Sequence, residues 1–326
     1  MSFAHTLLLA CAALAIEAVA SYPATLYRWI GHPVTWIGAL IAATEARINR
    51  LSDPPAISRL KGALSLLFWL MATAAVAGVI IWLCHGSLLF FPLLALLAAT
   101  LPAQQSLYQH VEAVAAALEK DDIETARRAV GMIVGRKTET LDEPGLARAA
   151  IESLAENFSD GVVAPAFWLS AGGLVGGALY KTINTADSMI GHRSKRYEFY
   201  GWASARLDDL VNLPASRLAA LYLIGAALFD GKSSAQAAFR AVSRDAMRHR
   251  SPNAGWSEAA MAGALDLKLG GPRVYEEGPI EDAFMGDGRR EANVQDIRRA
   301  LGLMRRACVL QFALLLALAI AFNLQG

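Results

Sequence analysis

The sequence predicts an all-α fold: a multi-pass helical membrane protein with amphipathic cytoplasmic helices and room for re-entrant segments. Of its 326 residues, 55% are hydrophobic and only 18% are charged, and the mean hydropathy of +0.36 is too apolar for an ordinary soluble protein. Several apolar runs approach the roughly 20 residues that cross a hydrocarbon core of about 30 Å. Strand-like alternation is scarce, and the stretch "GGPRVYEEGPI", rich in glycine and proline, is typical of a loop.

Five apolar runs predict transmembrane helices, at residues 3–20, 62–84, 88–101, 213–229 and 307–322. A sixth run, 162–179, is a doubtful full span because Pro165 and four glycines interrupt it. The first run has no Lys or Arg before it and contains Glu17, which favours a retained helix over a cleaved signal peptide.

Basic residues concentrate in three segments, 21–61, 102–160 and 230–306, which the positive-inside rule places on the cytoplasmic side of a single membrane-embedded domain covering 1–326. Hydropathy leaves the number of full spans open between four and six. The net charge of +1, without a basic tract that interleaves aromatic residues, argues against nucleic-acid binding.

One cytoplasmic stretch, "HVEAVAAALEKDDIETARRAV", predicts amphipathic helix because its apolar residues recur three and four positions apart, at Val111, Val114, Ala115 and Leu118. The nearby "GMIVGRKT" resembles a phosphate-binding loop but has Arg136 where the pattern needs glycine, and no strand pattern precedes it, so we reject that interpretation. The lone His32 and His110 are interpreted as structural.

Three carboxylates recur every fourth residue in "AAIESLAENFSDG", at Glu152, Glu156 and Asp160, with Asn157 beside them. Like charges in one helical row repel, so the row suggests a Mg²⁺ site or a basic partner. A solvated helix face is the alternative.

A second polar group follows the glycine-rich run, in "YKTINTADSMIGHR". Lys181, Asn184 and Ser188 share one helical face, Asp187 lies beside it, and His192 and Arg193 follow directly. Ionisable residues at membrane depth indicate function, and an interfacial helix end with a snorkelling lysine is the alternative.

Two further groups carry charge. The stretch "ASARLDDLVN" offers Arg206, Asp209 and Asn212 at three-residue steps, with Asp208 adjacent. The two adjacent aspartates suit Mg²⁺ binding and a helix start equally well. The stretch "RDAMRHRSPNAGWSEAAMAGAL" joins Arg248 to a turn at Asn253, where basic groups beside exposed turn amides would suit an anionic ligand.

Five stretches in fixed order resemble the adenosylcobinamide-phosphate synthases of cobalamin biosynthesis, the CobD/CbiB family: "HPVTWIG", "LDEPGLARAAIESLAENFSDGVVAPAFW", "YKTINTADSMIGHR", "GWASARLDDLVNLPASRL" and "SPNAGWSEAAMAGAL". The resemblance covers roughly residues 32–270 and the terminal helices. It implies a multi-pass inner-membrane ligase that joins a carboxylate of adenosylcobyric acid to (R)-1-amino-2-propanol or its O-phosphate. The expected product is adenosylcobinamide or its phosphate, with ATP as co-substrate and Mg²⁺ as cofactor.

The resemblance also implies partners and a site. Expected partners are the corrinoid, aminopropanol or its phosphate, the lipid bilayer and other membrane proteins of the cobalamin pathway, and no nucleic acid. Expected catalytic residues are Glu156, Asp187, Asp209 and Lys181. Expected substrate-binding residues are Asn157, Asn184, His192, Arg193, Arg206, Arg248 and Asn253. Expected metal ligands are Glu152, Asp160 and Asp208.

The sequence departs from the family pattern at Lys137, where an Asp is common, and in "EAVASYPATLYRW", which replaces a usual "GDP". If the family Asp helps to hold a metal, Lys137 removes that ligand. Two other classes stay open: a transporter or channel lined by the same polar face, and a membrane sensor or scaffold without chemistry. The large basic segment with its turn is a feature that a pore does not need.

Overall fold

The structure is a computed structural model that describes residues 2–20, 22–85, 89–135, 137–275, 278–280 and 282–325. These residues are predominantly α-helical, which confirms the predicted all-α class. In chain order the helices are α1 (Phe3–Val19), α2 (Ala24–Ile30), α3 (Pro33–Ile48), α4 (Pro55–Cys84), α5 (Phe90–Ala98), α6 (Gln104–Leu118), α7 (Ile123–Gly131), α8 (Glu143–Phe158), α9 (Ala164–Ile190), α10 (Trp202–Val211), α11 (Leu213–Leu228), α12 (Ala235–Asp245), α13 (Ala254–Leu265) and α14 (Val294–Gln325). A π-helical turn, Ser159–Val163, joins α8 to α9, and a 3₁₀ turn, Ala246–Arg248, follows α12.

Three helical segments of the described chain are long and apolar enough to cross a membrane. They are α4, the 48-residue run Glu143–Ile190 formed by α8, the π turn and α9, and Val294–Leu324 of α14. Helices α10 and α11 pass the same test together as a pair bent by 45°, which is the geometry of a broken span or of a re-entrant loop, and α1 is a shorter apolar helix of 17 residues. These lengths indicate a membrane protein.

The predicted span 88–101 is wrong. Leu88 lies outside the described residues, and α5 has only nine residues, about 14 Å at 1.5 Å per residue, or half of the hydrocarbon thickness. The helix ends in tight turns, where the Leu101 amide donates to the Ala98 carbonyl at 3.0 Å. Pro102 follows, and its ring disfavours helical geometry at the residue before it.

The run 162–179 was expected to be a doubtful full span, but it is part of a continuous candidate span. Pro165 lies in the first turn of α9, directly after the π turn, where a missing amide hydrogen is tolerated. Gly173 kinks the helix at a φ of +59°, which glycine adopts without steric cost. Beside the kink, the Thr6 hydroxyl donates to the Ser170 carbonyl at 2.7 Å, so this polar backbone atom is satisfied within the protein.

The chain divides into two compact units. The first comprises Met1–Ala103, Ala164–Asn212 and Leu315–Gly326, and the second comprises Gln104–Val163 and Leu213–Leu314. The core of the first unit includes the fully buried Trp69 and Tyr200, packed with Ile41, Leu66, Ala186 and Ile190.

The core of the second unit is built around α13, which is buried along nearly its whole length and packs against α8, α11 and α12. Its small residues make this possible. At Gly263 a methyl group would overlap the backbone of α12 at Ala237, so glycine allows the two helices to approach closely.

The predicted amphipathic helix is confirmed, as two helices of the second unit. Val111, Val114 and Ala115 are fully buried on α6. The chain turns at Asp121 (φ +56°), and Asp122 caps α7 by accepting the Thr125 amide at 2.9 Å. Because α7 rather than a strand precedes the loop-like "GMIVGRKT", the rejected phosphate loop stays rejected; Arg136 itself lies outside the described residues.

The prediction of a loop at "GGPRVYEEGPI" is wrong, because this stretch forms short strands. β1 (Leu269–Gly270) pairs antiparallel with β4 (Phe284–Met285), and β2 (Arg273–Tyr275) pairs antiparallel with β3 (Gly278–Ile280). Gly270, the last residue of β1, and Gly271 after it take positive φ angles, and a proline is compatible with an edge strand of a two-stranded sheet. Glu276 and Glu277 lie outside the described residues.

Candidate functional site

Four polar side chains of the first unit form a hydrogen-bonded chain that we call the Asp208 cluster: Tyr180, Asn184, Asp208 and Asn212. Asn212 donates from Nδ2 to Oδ2 of Asp208 at 2.9 Å, and Nδ2 of Asn184 lies 3.5 Å from the other carboxylate oxygen. The Tyr180 hydroxyl donates to Oδ1 of Asn212 at 2.9 Å. Tyr180, Asp208 and Asn212 are buried, so the cluster holds one carboxylate in a defined orientation away from solvent.

Helical spacing explains this arrangement. Tyr180 and Asn184 lie one turn apart on α9, and Asp208 and Asn212 lie one turn apart at the end of α10, so each pair shares a face. The indole Nε1 of Trp168 also donates to the last helical carbonyl of α10, at 3.1 Å. This bond fastens the end of α10 to α9.

Further charged residues of the predicted site surround the cluster. Asp187 and Asp209 interact electrostatically with Asp208, and Arg206 pairs with Asp209 at 3.3 Å on a partly exposed surface. Lys181 lies on α9, one turn from Asn184. Several carboxylates near a buried one disfavour full ionisation unless a cation is close, so this region can hold a cation or exchange a proton.

His192 and Arg193 lie beyond the end of α9 and are exposed. The His192 ring packs edge-to-face on Tyr197, with 4.9 Å between the ring centroids. An exposed basic pair directly after a candidate span can meet a charged substrate from solvent.

The structural interpretation of His32 is confirmed, because its side chain caps α3. Nδ1 accepts the Val34 amide at 3.2 Å, and the His32 amide donates to the Thr35 hydroxyl at 3.0 Å. Burial, and then the nearby ammonium of Lys181, lower the pKa of His32. The first resemblance motif therefore lies beside α9.

The row of carboxylates in the second unit is less regular than expected. Glu152 is buried and accepts the Gly270 amide at 2.8 Å, whereas Glu156 is exposed. Asp160 lies in the π turn, where the wider helical geometry breaks the four-residue repeat. Asn157 donates to the Ser153 carbonyl at 2.9 Å. The three carboxylates therefore occupy different environments instead of one face.

Exposed amides at the turn before α13 were expected, and this expectation is wrong. The Ser251 hydroxyl accepts the amides of Asn253 and Ala254, both at 3.2 Å. Asn253 is buried, and its Oδ1 accepts from the Ser216 hydroxyl and from Arg217, both at 3.1 Å. Asn253 therefore already takes part in a hydrogen-bond network.

Arg248, the basic residue assigned to this turn, is largely exposed and lies 3.7 Å from a carboxylate oxygen of Asp245. Burial would raise the pKa of Asp245, but hydrogen bonds from Arg244 and from the Gly286 amide outweigh it and hold this pKa below its usual range. Asp245 therefore stays ionised and anchors the basic residues around it.

Three participating residues were missed as site residues by sequence reasoning: Tyr180, Asn212 and Arg217. The first two lie one turn from Asn184 and Asp208, so the helical repeat contained a signal for them. Arg217 stacks on Trp256, with 4.5 Å between guanidinium and ring centroid. This contact joins α11 to α13, and the spacing of the two residues in sequence does not predict it.

The described residues contain no group of three or more His, Cys, Asp or Glu side chains arranged to hold a metal ion. Mg²⁺ in enzymes that bind phosphates usually takes only one or two carboxylates and completes its shell with water and phosphate oxygens. Asp208 with Asp187 fits this open type, because the two carboxylates interact and would be stabilised by a shared cation.

The chain has candidate membrane spans and a buried carboxylate, Asp208, that is oriented by the side-chain amides of two asparagines. These features define a helical membrane protein with a polar site. The chain belongs to the CobD/Cbib protein family, whose model matches residues 10–304. It is 46% identical to a Sinorhizobium sp. protein named "Cobalamin biosynthesis protein CobD" over 317 residues, 96% of this chain and 98% of the relative. Proteins of the same name from Rhodobacter capsulatus (46% over 315 residues) and Brucella suis (45% over 309 residues) each match 94% of this chain and 94% of their own length. No solved structure matches the chain.

Proposed function

We propose that this protein is an enzyme of cobalamin biosynthesis, a ligase that forms an amide bond between a carboxylate of adenosylcobyric acid and (R)-1-amino-2-propanol or its O-phosphate. The observation that carries the proposal is the match over nearly the whole chain to relatives named for cobalamin biosynthesis. The product is adenosylcobinamide or its phosphate.

Amide formation from a carboxylate and an ammonium group releases water and is unfavourable in aqueous solution, so the reaction is coupled to ATP cleavage. The carboxylate, the ammonium group and ATP give the amide, ADP, inorganic phosphate and one proton. That proton must leave the amine before its nitrogen attacks the activated carbonyl carbon. Asp209, partly accessible beside the buried Asp208, is the group we assign to accept it.

The residues around Asp208 orient its carboxylate and neutralise negative charge. Asn184 and Asn212 fix the carboxylate of Asp208, so its charge is directed before substrate arrives. Lys181 and Arg206 supply positive charge that suits phosphate oxygens. Mg²⁺, when bound, would neutralise phosphate charge, and Asp208 with Asp187 would hold it.

We further propose that the protein is a multi-pass protein of the cell inner membrane with segments 102–160 and 230–306 on the cytoplasmic side, because these segments are rich in Lys and Arg. The expected segment 21–61 does not share that side in this topology, because α4 crosses between it and 102–160 and α5 is too short to return. A single cysteine placed beside Arg128 in a cysteine-free variant tests the orientation. It should react with a membrane-impermeant thiol reagent only after the cells are opened, and labelling in intact cells would contradict this topology.

Complementation tests the proposed activity. In a bacterium that lacks its own CobD-family gene and needs cobalamin for growth, expression of this protein should restore growth on adenosylcobyric acid. Added adenosylcobinamide supports growth with or without the protein and serves as the control. Failure to grow on adenosylcobyric acid, with the protein present in the membrane and the control culture growing, would contradict the proposal.

A further inference from the structure

A groove of about 440 Å³ lies in the first unit, between α3 and α4. Its walls are one face of each helix, namely Thr44, Arg47 and Ile48 of α3 and Lys61, Leu64, Ser65 and Phe68 of α4. These residues recur at the three- and four-residue spacing of a single helical face. Because α3 ends at Ile48 and α4 begins at Pro55, the charged Arg47 and Lys61 lie toward the connecting loop and Phe68 lies at the opposite end.

The hydroxyl groups in the body of the groove are engaged within the protein. The Thr44 hydroxyl donates to a main-chain carbonyl of its own helix at 2.8 Å, and the Ser65 hydroxyl accepts from Tyr200 at 2.8 Å. The remaining surface there belongs to Leu64 and Phe68. Removing apolar surface from water is favourable, so this part of the groove suits a hydrocarbon chain.

The groove opens on the part of α4 that meets the bilayer. This candidate span has an apolar window that is only 22% buried within the protein, and Leu64 and Phe68 are 56% and 47% exposed. Lys61 directly precedes the apolar run 62–84. A lysine at the end of a span keeps its ammonium group at headgroup level while its stem follows the apolar surface. The charged end of the groove therefore lies at the membrane interface, and the apolar end lies within the hydrocarbon.

The charged end of the groove carries a net positive charge. Nζ of Lys61 lies 2.6 Å from a carboxylate oxygen of Asp53, and Nη1 of the exposed Arg47 donates to the Ala43 carbonyl at 2.9 Å. A guanidinium has five N–H donors, so this bond leaves others for a ligand. Two cations and one carboxylate sum to one positive charge, which matches the single negative charge of a phosphodiester. Phosphate oxygens accept charge-assisted hydrogen bonds from both kinds of cation.

We propose that this groove binds one anionic phospholipid, a lipid whose headgroup carries a phosphodiester and no positive group, as in phosphatidylglycerol. Its phosphate lies between Arg47 and Lys61, and one acyl chain lies along Leu64 and Phe68. A zwitterionic lipid is disfavoured because its ammonium group is repelled by the two cations, and a soluble phosphate leaves the apolar part of the groove unfilled. This site goes beyond the proposed amide-forming activity and does not depend on it.

Native mass spectrometry of the full-length protein in detergent tests the site. The protein is titrated with dioleoyl phosphatidylglycerol, with dioleoyl phosphatidylcholine and with inorganic phosphate, and the dissociation constant of the first bound ligand is measured. Phosphatidylglycerol should bind more tightly than phosphatidylcholine. Arg47→Gln and Lys61→Met should each weaken binding of phosphatidylglycerol about fivefold, the usual effect of one basic residue at an anionic lipid surface, and leave binding of phosphatidylcholine unchanged.

Asp53→Asn separates lipid binding from a purely structural role of the ion pair. It breaks the same pair as Lys61→Met but removes the competing negative charge, so it should strengthen binding of phosphatidylglycerol. Arg59→Gln is the matched control, because Arg59 lies on α4 two residues before Lys61 but stacks on Phe199 and Trp202 instead of lining the groove. This variant should bind both lipids like the unmodified protein.

Four results would overturn the proposal. Equal affinity for the two lipids would remove the selectivity for negative charge, and weaker binding in Asp53→Asn would make the ion pair structural. An equal loss in Arg59→Gln and Arg47→Gln would indicate attraction to the basic surface in general. Inorganic phosphate binding that is weakened by Arg47→Gln would assign the charged end to a soluble anion. Thermal midpoints without added lipid show which variants are folded, and Arg47→Gln with Asp53→Asn decides the test if Lys61→Met does not fold.

Discussion

Replacing Tyr180 by Phe tests whether the Asp208 cluster positions its carboxylate. The substitution removes the hydroxyl that donates to Asn212 at 2.9 Å and changes little volume. Both residues are at most 1% exposed, so the Asn212 oxygen loses a partner where water is scarce. Losing one hydrogen bond between buried groups costs about 1–2 kcal/mol, which corresponds to a fall of roughly 2–6 °C in the thermal midpoint.

Activity should fall as well, because Asn212 would no longer be fixed where it donates to Asp208. We expect kcat for amide formation to drop about tenfold with little change in KM, the usual scale for losing a partner that orients an active group. Product is measured by liquid chromatography with mass spectrometry, and the thermal midpoint by intrinsic tryptophan fluorescence in detergent.

Tyr200→Phe is the matched control, since its buried hydroxyl donates to Ser65 at 2.8 Å, outside the hydrogen bonds of the Asp208 cluster. It should lower the thermal midpoint by a similar amount and leave kcat unchanged. Equal losses of kcat in both variants would show that any buried hydroxyl matters, and unchanged kcat in Tyr180→Phe would refute the positioning argument.

Three further predictions follow from the structure. Gly173→Ala should lower the thermal midpoint, because alanine is strained at a φ of +59°. Gly172→Ala is the control and should leave the midpoint unchanged, because Gly172 has open space around it and no positive φ. Equal midpoints in the two variants would refute the kinked backbone at Gly173. Burial would raise the pKa of Glu45, but hydrogen bonds from Arg196, at 2.7 and 3.0 Å, and from a neighbouring asparagine lower it overall. This ion pair therefore stabilises the fold at pH values above the pKa of about 4.3 that Glu45 has in the unfolded chain. The unmodified protein should have a higher thermal midpoint than Glu45→Gln, and this difference should vanish as the pH falls through the pKa of Glu45 in the folded protein. A difference that persists at lower pH would contradict this. Glu156→Gln should leave the Mg²⁺ concentration for half-maximal activity unchanged, because Glu156 lies on an exposed helix face and the proposed ligands are Asp208 and Asp187; a raised requirement with recoverable turnover would contradict this.

Much of the fold follows from local rules that one sequence displays. The spacing of Val111, Val114 and Ala115 predicts which side of α6 is buried, and hydropathy predicts α4. The failures have physical causes that hydropathy does not contain. The run 88–101 is apolar enough to span but ends in a turn before Pro102, and Gly173 bends α9 without ending it.

The candidate site, like the fold, was predicted from the sequence only in part. Asp208 and Asn184 were predicted as site residues from their own motifs, but the motifs do not contain the hydrogen bonds between them, because these depend on how α10 packs on α9. The regular repeat from Glu152 to Asp160 is broken by a π turn, which depends on backbone geometry and has no marker in the repeat. The contact between Glu152 and Gly270 joins positions 118 residues apart.

The most direct test of the central claim is the reconstituted reaction. Purified protein in nanodiscs receives adenosylcobyric acid, (R)-1-amino-2-propanol O-phosphate, Mg²⁺ and ATP, and amide product and ADP are quantified together. The account predicts product and ADP in equal amounts from the unmodified protein, and none from Asp187→Asn or Asp209→Asn, although both variants stay folded in the membrane with nearly unchanged thermal midpoints. Absence of product from folded, unmodified protein, or full turnover in both variants, would contradict it.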